Sequence, residues 1–333
     1  MNNPKVSVMI PTYNQAGFIV RAIRSALDQD YANLEVVVAD DCSPDETSQV
    51  VRDFITTSGD PRVTYHRNET NLGILRNYHD TLFEKASGDW AVNLDADDVF
   101  VDRAFLSKAM ELAARDPAIS LVFADYCEQD EASGVQTPIR NQPHPTIMAD
   151  LDFLDRYADD RIVWNHNSIV YDRHLAMQRG CYWEEGAQRN DWESFLRLTI
   201  GHKVGRLDCI AAAWVQHGAN ETRRLDLTKY LNNFTLIDGV ADYARAQGLE
   251  PGFVAHWHAR MVAGSARSTA VAYLRARDYR GLWRFMRHVR ERAPGLPLRL
   301  LREPGFLARA VLASNARLYA AVKRRARRGA VAG

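Results

Sequence analysis

The 333-residue chain has only four cysteines, Cys42, Cys127, Cys181 and Cys209, with no CxxC pair and no histidine at metal-ligand spacing. That scarcity excludes a disulfide framework and a structural zinc site, and predicts reduced thiols. No apolar run approaches the roughly 18 to 20 residues that a membrane-spanning helix needs. The chain passes from Met1 into a short strand-like run without the layout of a signal peptide, so a cytoplasmic protein is expected. Internal repeats and low-complexity linkers are missing too. Net charge is zero, 42 Lys/Arg against 42 Asp/Glu, but the sum hides an asymmetry: from Glu250 onward there are 18 Lys/Arg and 4 Asp/Glu. With 46% hydrophobic and 25% charged residues the composition is that of a globular chain, which excludes disordered and collagen-like classes.

What is present over the first 125 residues is an alternation of short β-rich runs and helical patterns. This predicts an α/β fold on a mostly parallel sheet flanked by helices. "VSVMI" (6–10), "LEVVVAD" (34–40), "RVTYH" (62–66), "WAVNL" (90–94) and "ISLVFAD" (119–125) read as strands. Residues 16–29, 45–57, 71–86 and 102–115 read as the helices between them, with Ser43 or Asp45 capping the second. Residues 128–145, "EQDEASGVQTPIRNQPHP", have turn and loop composition. Further on, residues 149–157 and "NDWESFLRLTIG" read as helices, "HNSIVYDRHL" as a strand entering a helix, and 203–216 as short strands. From about Leu225 the pattern is helical, broken at "APGLP" and "EPG".

Ligands of an open parallel sheet bind beyond the carboxyl ends of its strands. Three polar clusters fall at such ends: Pro11, Thr12, Tyr13 and Asn14 after the first strand, Asp40 and Asp41 after the second, and Asp95, Asp97 and Asp98 after the fourth. Three carboxylates behind an apolar run repel one another and resist burial unless something positive sits among them. A D-x-D spacing can turn two carboxylates to one side, which suits Mg²⁺ or Mn²⁺ held jointly with phosphate oxygens. One or two of the acids could instead cap the next helix. Asp40 and Asp41 pose the same choice, between a helix cap and acceptance of a nucleobase N–H. The turn after the first strand reads "PTYNQAGF", which is neither a dinucleotide-binding G-x-G-x-x-G nor a P-loop. A receiver domain would place its acid pair after the first strand and would be far shorter.

In "VSVMIPTYNQAGFIVRAIRSALDQDYANLEVVVADDCSPDET" and "NETNLGILRNYHDTLFEKASGDWAVNLDADD" the chain resembles the nucleotide-binding half of family 2 glycosyltransferases of the GT-A fold. The resemblance continues more weakly through "GCYWEE" (180–185) and "NDWESFLRLTIGHKVGRLD" (190–208) and ends near residue 222. It implies inverting transfer of a sugar from a nucleotide diphosphate, most simply a UDP-sugar with dTDP-sugars open, to a hydroxyl of a saccharide or lipid-linked saccharide, in surface polysaccharide or glycoconjugate synthesis. Carried over by position, Pro11, Thr12, Tyr13 and Asn14 line the nucleotide pocket, Asp41 with Asp40 receives the pyrimidine N–H, Arg76 approaches the diphosphate or ribose, and Asp95 holds the nucleotide. Asp97 and Asp98 become ligands of Mn²⁺ or Mg²⁺, with His217 a further contact to metal or phosphate. Asp191 becomes the general base. Trp164, His166, Trp183 and Trp192 are candidates to stack on sugar rings or to fill the core.

Two positions depart from the family pattern: Cys42 stands where glycine is usual after the acid pair, and Asn190 where glutamate usually precedes Asp191. The expected organisation is a transferase domain over 1–222, nucleotide-sugar binding in 1–125 and acceptor binding in 126–222, followed by a helical basic region over 223–333. Residues 305–328 can form a basic amphipathic helix, suited either to the anionic inner face of the cytoplasmic membrane or to docking on the protein with a solvated tail. Nucleic acid is not expected, since no recognition module accompanies the charge. The competing readings are a non-catalytic nucleotide-sugar or glycan-binding protein of this fold and a polyprenyl-phosphate sugar synthase.

Overall fold

The apolar runs near the N-terminus form strands that are buried on both faces and pair in parallel. The computed structural model of the chain describes residues 3–182, 190–218, 226–303, 305–307, 310 and 313. Two units result, Met1–Tyr157 with Arg161–His217, and Ala158–Asp160 with Gly218–Gly333. In the first, β1 (Val6–Thr12), α1 (Ile19–Leu27), β2 (Leu34–Asp40), α2 (Thr47–Ser58), β3 (Val63–Arg67) and α3 (Ile74–Asp80) follow one another. A π-helical turn over Thr81–Lys85 leads to β4 (Trp90–Asn93), β5 (Val99–Phe100), α4 (Phe105–Ala113) and β6 (Ile119–Asp130). Then come β7 (Gln136–Ile139), β8 (Ile147–Ala149), α5 (Asp150–Ala158), a 3-10 turn His166–Ser168, β9 (Ile169–Asp172), α6 (Arg173–Gln178), α7 (Asp191–Thr199) and β10 (Lys203–Gln216).

The sheet runs β3-β2-β1-β4-β9-β6-β10-β5, with β7 beside β6 and β8 beside β10. Its first four strands are all parallel. β9 enters antiparallel between β4 and β6, so the second half of the sheet is mixed. Val6, Val8 and Ile10 of β1 and Val36 and Val38 of β2 are fully buried, as is the Ile19, Ala22, Ile23, Ala26 face of α1. Each fully buried Val or Ile side chain contributes about 1.5–3 kcal/mol.

The opposite end of the parallel strands is clamped by Glu35. Its carboxylate accepts from Lys5 Nζ at 2.6 Å, Ser7 Oγ at 2.6 Å, and the Ser87 N–H and hydroxyl at 2.6 and 2.9 Å. Burial alone would raise the pKa of Glu35, but these donors pull it down to about 2. Gly88 is required beside this clamp, because a Cβ there would lie 2.7 Å from the Ser7 backbone nitrogen.

The structure departs from the sequence expectations at several elements: β5 and β8 were not expected, and the helix expected over 71–86 is α3 followed by the π-helical turn. Residues 128–145 were expected to be loop; instead β6 runs on to Asp130 and returns as β7 in an antiparallel hairpin, Gln129 opposite Gln136 and Tyr126 opposite Ile139. Its residues are half-exposed and polar, so no apolar alternation marks it. The short strands expected over 203–216 are one strand, β10, whose irregularities near Leu207 and Ile210 break the period-two pattern. Glu46, not Ser43 or Asp45, occupies the cap position of α2 without a side-chain cap bond. Asp45 still accepts from the Thr47 N–H at 3.1 Å, and also from that of Ala16 at 3.1 Å.

The second unit is helical: α8 (Leu227–Ala246), α9 (Pro251–Ala276), α10 (Tyr279–Arg292) and α11 (Leu296–Arg302). Pro251 opens α9, and Glu250 caps it by accepting from Gly252 N–H and Phe253 N–H at 2.7 and 2.5 Å. Phe234, Trp257, Tyr273, Phe285 and Val289 are buried here, Phe234 stacking on Phe285 at 6.0 Å. The basic run 317–328, together with Trp183, lies outside the described residues. Among the described residues no helix is long and apolar enough to cross a membrane.

Candidate active site

The carboxyl ends of β1, β2 and β4 bring the three polar clusters to one edge of the sheet. Asp41 N–H donates to Thr12 O and Leu94 N–H to Met9 O, each at 2.9 Å, tying the three strand ends together. Tyr13 is half-exposed, while Thr12 is buried and its hydroxyl has no partner among the described residues. Asn14, at φ 60°, is held by its N–H donating to Ser43 Oγ at 2.9 Å. A small polar residue tolerates this left-handed conformation better than most.

The two acids after β2 are already engaged. Asp40 Oδ1 accepts from the Ser43 N–H at 2.8 Å, and its Oδ2 from Tyr65 and Arg67 at 2.6 and 2.7 Å. Asp41 Oδ1 accepts from Asn68 and the Leu72 N–H, and Oδ2 from the Gly73 N–H, all at 2.9 Å. Asp41 therefore fixes the loop that starts α3, and its Oδ2, with a single partner, retains acceptor capacity. Arg76, in the first turn of α3, pairs with Asp80 at 2.7 Å.

"DADD" is a tight turn from β4 to β5, closed by Asp98 N–H donating to Asp95 O at 2.9 Å. Its three carboxylates have separate surroundings. Asp95 accepts a short hydrogen bond from the Tyr78 hydroxyl. Burial raises its pKa, the Asp97 and Asp191 charges add to the rise, and the Tyr78 hydrogen bond works against it. Asp97 Oδ2 lies 2.8 Å from His217 Nε2, and the His217 ring stacks on Phe18 at 4.7 Å. Asp98 is only 1% exposed, its oxygens accepting from the Val215 N–H at 2.7 Å and from Asn167. Burial, then the Asp95 and Asp97 charges, raise its pKa well above the usual carboxylate range. Asp98, expected as a metal ligand, uses both oxygens to accept hydrogen bonds and so anchors the turn to β10 and to the 3-10 turn; its place in the run of acids could not tell that it would meet these donors.

Asp191 is the first residue of α7, where Asn190 caps the helix by accepting from the Glu193 N–H at 2.9 Å. Its carboxylate is 42% exposed and lies 3.9 Å from His166 Nδ1. The Asp191 and Asp97 charges both act on the buried Tyr78, so the two acids share one locality. The 3-10 turn before β9 places His166 and Asn167 against the "DADD" turn, with Asn167 accepting from the Asp95 N–H at 3.2 Å while donating to Asp98. Tyr78, Asn93 and Asn167 were not foreseen; they come from separate elements and carry no motif. Trp164 packs among Phe153, Tyr157, Phe123 and Phe195 at 5.0–6.1 Å, in an aromatic cluster. Trp192 is half-buried beside Asp191.

Among the described residues no group of three or more His, Cys, Asp or Glu is arranged to hold a metal. Asp97 and His217 nevertheless form a hard oxygen and imidazole pair on one side of the turn, the partial protein ligation expected of a cation completed by phosphate and water. Of this pair the Asp97 carboxylate is the donor type that suits Mn²⁺ or Mg²⁺.

The family model described as glycosyl transferase family 2 matches residues 7–179. The chain is 27% identical over 208 residues to the protein named "Putative colanic acid biosynthesis glycosyl transferase WcaA" of Escherichia coli K12, covering 60% of this chain and 67% of that one. It is 34% identical over 110 residues to the GalNAc(5)-diNAcBac-PP-undecaprenol beta-1,3-glucosyltransferase of Campylobacter jejuni, covering 33% and 35% respectively. Among solved structures, S. aureus TarS 1–349 in complex with UDP-GlcNAc matches with TM-score 0.59 at 16% identity, over 80% of this chain and 81% of that one. The mannosyltransferase PcManGT of Pyrobaculum calidifontis, in complex with GDP-Man and Mn²⁺, matches with TM-score 0.56 at 19% identity, over 94% and 88%. The fold they share with this chain is GT-A.

Proposed function

The chain belongs to glycosyl transferase family 2 and is a glycosyltransferase, and on that premise we propose that it moves a sugar, with inversion, from a UDP-sugar to a hydroxyl of a saccharide or lipid-linked saccharide in surface polysaccharide synthesis. The observation that carries this reading is the convergence of Asp97, His217 and Asp191 on one edge of the sheet. The acceptor oxygen attacks the anomeric carbon from the face opposite the diphosphate as the bond to the diphosphate breaks. Asp191, 42% exposed at the start of α7, takes the acceptor proton. Asp97 and His217 would hold Mn²⁺ or Mg²⁺, which when bound supplies positive charge opposite the departing diphosphate. Asp41 Oδ2 accepts the uracil N–H, and the half-exposed Tyr13 ring lines the nucleotide pocket beside Thr12, whose buried hydroxyl has no partner among the described residues. Asp40 acts behind them by holding Arg67 and Tyr65 in place.

The names of the Escherichia and Campylobacter relatives support an acceptor in a surface or lipid-linked glycan. The second unit supports a membrane partner of anionic character. α10 exposes Tyr279 (59%) and Trp283 (65%), and α11 exposes Leu298 and Leu301. Arg280, Arg284, Arg287, Arg290, Arg299 and Arg302 are exposed on the same helices. Aromatic and apolar side chains among arginines are the composition of an interfacial helix.

A panel of nucleotide sugars with Mn²⁺ or Mg²⁺, scored for nucleotide release and sugar transfer, tests the activity. Asp97→Asn is expected to lose metal-stimulated turnover and to weaken Mn²⁺ binding measured directly by calorimetry. Asp191→Asn is expected to keep donor binding while transfer falls by about a hundredfold or more; full transfer in that variant would refute the base assignment.

A further inference from the structure

Both nitrogens of His166 face specific partners. Its ring is fixed by Tyr78 at 4.9 Å, Phe195 at 5.7 Å and Tyr182 at 6.3 Å, and its side chain is 10% exposed. Nε2 meets the Asn93 side-chain nitrogen, and Nδ1 lies 3.9 Å from Asp191 Oδ2. The orientation of the Asn93 carboxamide sets the chemistry. Its oxygen accepts from the Tyr171 hydroxyl at 3.3 Å, and its nitrogen also donates to the Tyr182 hydroxyl, so the amide presents N–H groups to His166. An imidazole nitrogen facing a donor must offer a lone pair, and a neutral imidazole carries one proton. In this orientation of the amide the proton falls to Nδ1, the nitrogen 3.9 Å from Asp191 Oδ2.

We propose that His166 is a positioning residue for Asp191: Asn93 fixes its tautomer so that the Nδ1–H orients one carboxylate oxygen and leaves the other toward the acceptor hydroxyl. The inference rests on the reading of Asp191 as general base. At 3.9 Å the pair is just beyond hydrogen-bond range, a spacing typical of catalytic contacts that tighten when substrate arrives. The logic is that of a base held by a third group, with a histidine orienting a carboxylate rather than the reverse. Packing alone would explain the ring stacking but not a proton donor directed at Asp191.

Two substitutions separate the nitrogens. In His166→Asn the side-chain amide reaches the Nδ1 position, whereas in His166→Gln it reaches the Nε2 position. With donor KM unchanged in both, kcat is expected to stay within about threefold for His166→Asn and to fall by about a hundredfold for His166→Gln, the penalty of a base out of alignment. Equal losses in the two variants, or a change in donor KM that accounts for the loss, would overturn the proposal. Nitrogen-15 NMR of wild-type protein labelled in histidine, with His166 assigned by difference from a folded His166→Asn, gives a readout independent of activity. An Nδ1–H tautomer is expected, and an Nε2–H tautomer overturns the proposal. Asp191→Asn distinguishes the two layers: retained transfer there removes the base reading, while the wrong tautomer in wild type removes only the role of His166.

Discussion

Cys42 sits at φ 61°, in the left-handed region, between the acid pair that ends β2 and the Ser43 that binds Asn14 and Asp40. A side chain there costs about 1–2 kcal/mol relative to glycine. Its thiol donates weakly to Glu69 O at 3.4 Å, which returns only part of that cost. Cys42→Gly relieves the backbone but adds roughly 0.5–1 kcal/mol of chain entropy in the unfolded state. The expected net effect in urea unfolding is stabilisation of up to about 1 kcal/mol; a clear loss would mean that the thiol contact outweighs the strain. Glu35 makes a second, pH-dependent case. Its pKa of about 2 in the folded chain lies below the usual carboxylate value, so its stabilisation is complete above about pH 4.5 and is lost as pH falls toward 2. Discounted for partial solvent exposure, the contribution is about 2 kcal/mol. Glu35→Gln should be less stable than wild type by that amount at pH 7, with the two unfolding curves converging only as pH falls through about 2. A gap that persists at low pH would assign the loss to packing rather than to charge.

At the scale of elements, α7 shows how a local cap serves a distant reaction. Asn190 replaces the glutamate that the family pattern suggests, and it is the better cap, since a short amide reaches the Glu193 N–H where a longer side chain does not. Asn190→Ala should cost about 1 kcal/mol in unfolding and, because Asp191 is the next residue, lower transfer more than donor binding. Asn190→Ser should restore both; an alanine variant with unchanged kcat would show that Asp191 does not depend on the cap. The same contrast explains what could be read beforehand. The β2-β1-β4 part was legible because strands buried on both faces are continuous apolar runs, which periodicity detects. The β6-β7 hairpin and the unbroken β10 were not, because half-exposed polar strands and bulges erase the period. In the site, the clusters at the strand ends were legible as motifs. The division of labour was not: whether Asp98 anchors a turn or faces a ligand depends on Asn167 and the Val215 N–H, which are distant in sequence.

For the molecule as a whole, zero net charge conceals a strongly basic C-terminal stretch, 18 Lys/Arg against 4 Asp/Glu from Glu250 onward. Part of that charge is neutralised internally: Arg292 pairs with Asp238, and Arg267 bonds Glu303 at 3.1 Å. The exposed arginines of α10 have less to balance them. Arg287, 3.3 Å from Glu291, also lies over the Trp283 ring at 5.8 Å. Screening at physiological salt would make such a cluster ineffective toward distant partners, but not toward a surface it touches. Each arginine near an anionic bilayer contributes about 1 kcal/mol, so Arg284→Gln with Arg287→Gln should cost about 2 kcal/mol, or roughly thirtyfold in partitioning. Trp283→Ser should weaken binding further while leaving its salt dependence alone, because it removes burial rather than charge. Flotation with anionic and with neutral vesicles at two salt concentrations reads both effects, and transfer to a soluble acceptor should be unchanged in every variant. Equal binding by wild type and the double arginine variant would remove α10 from the membrane contact. Salt-insensitive binding to neutral vesicles would show that the attachment is apolar rather than electrostatic.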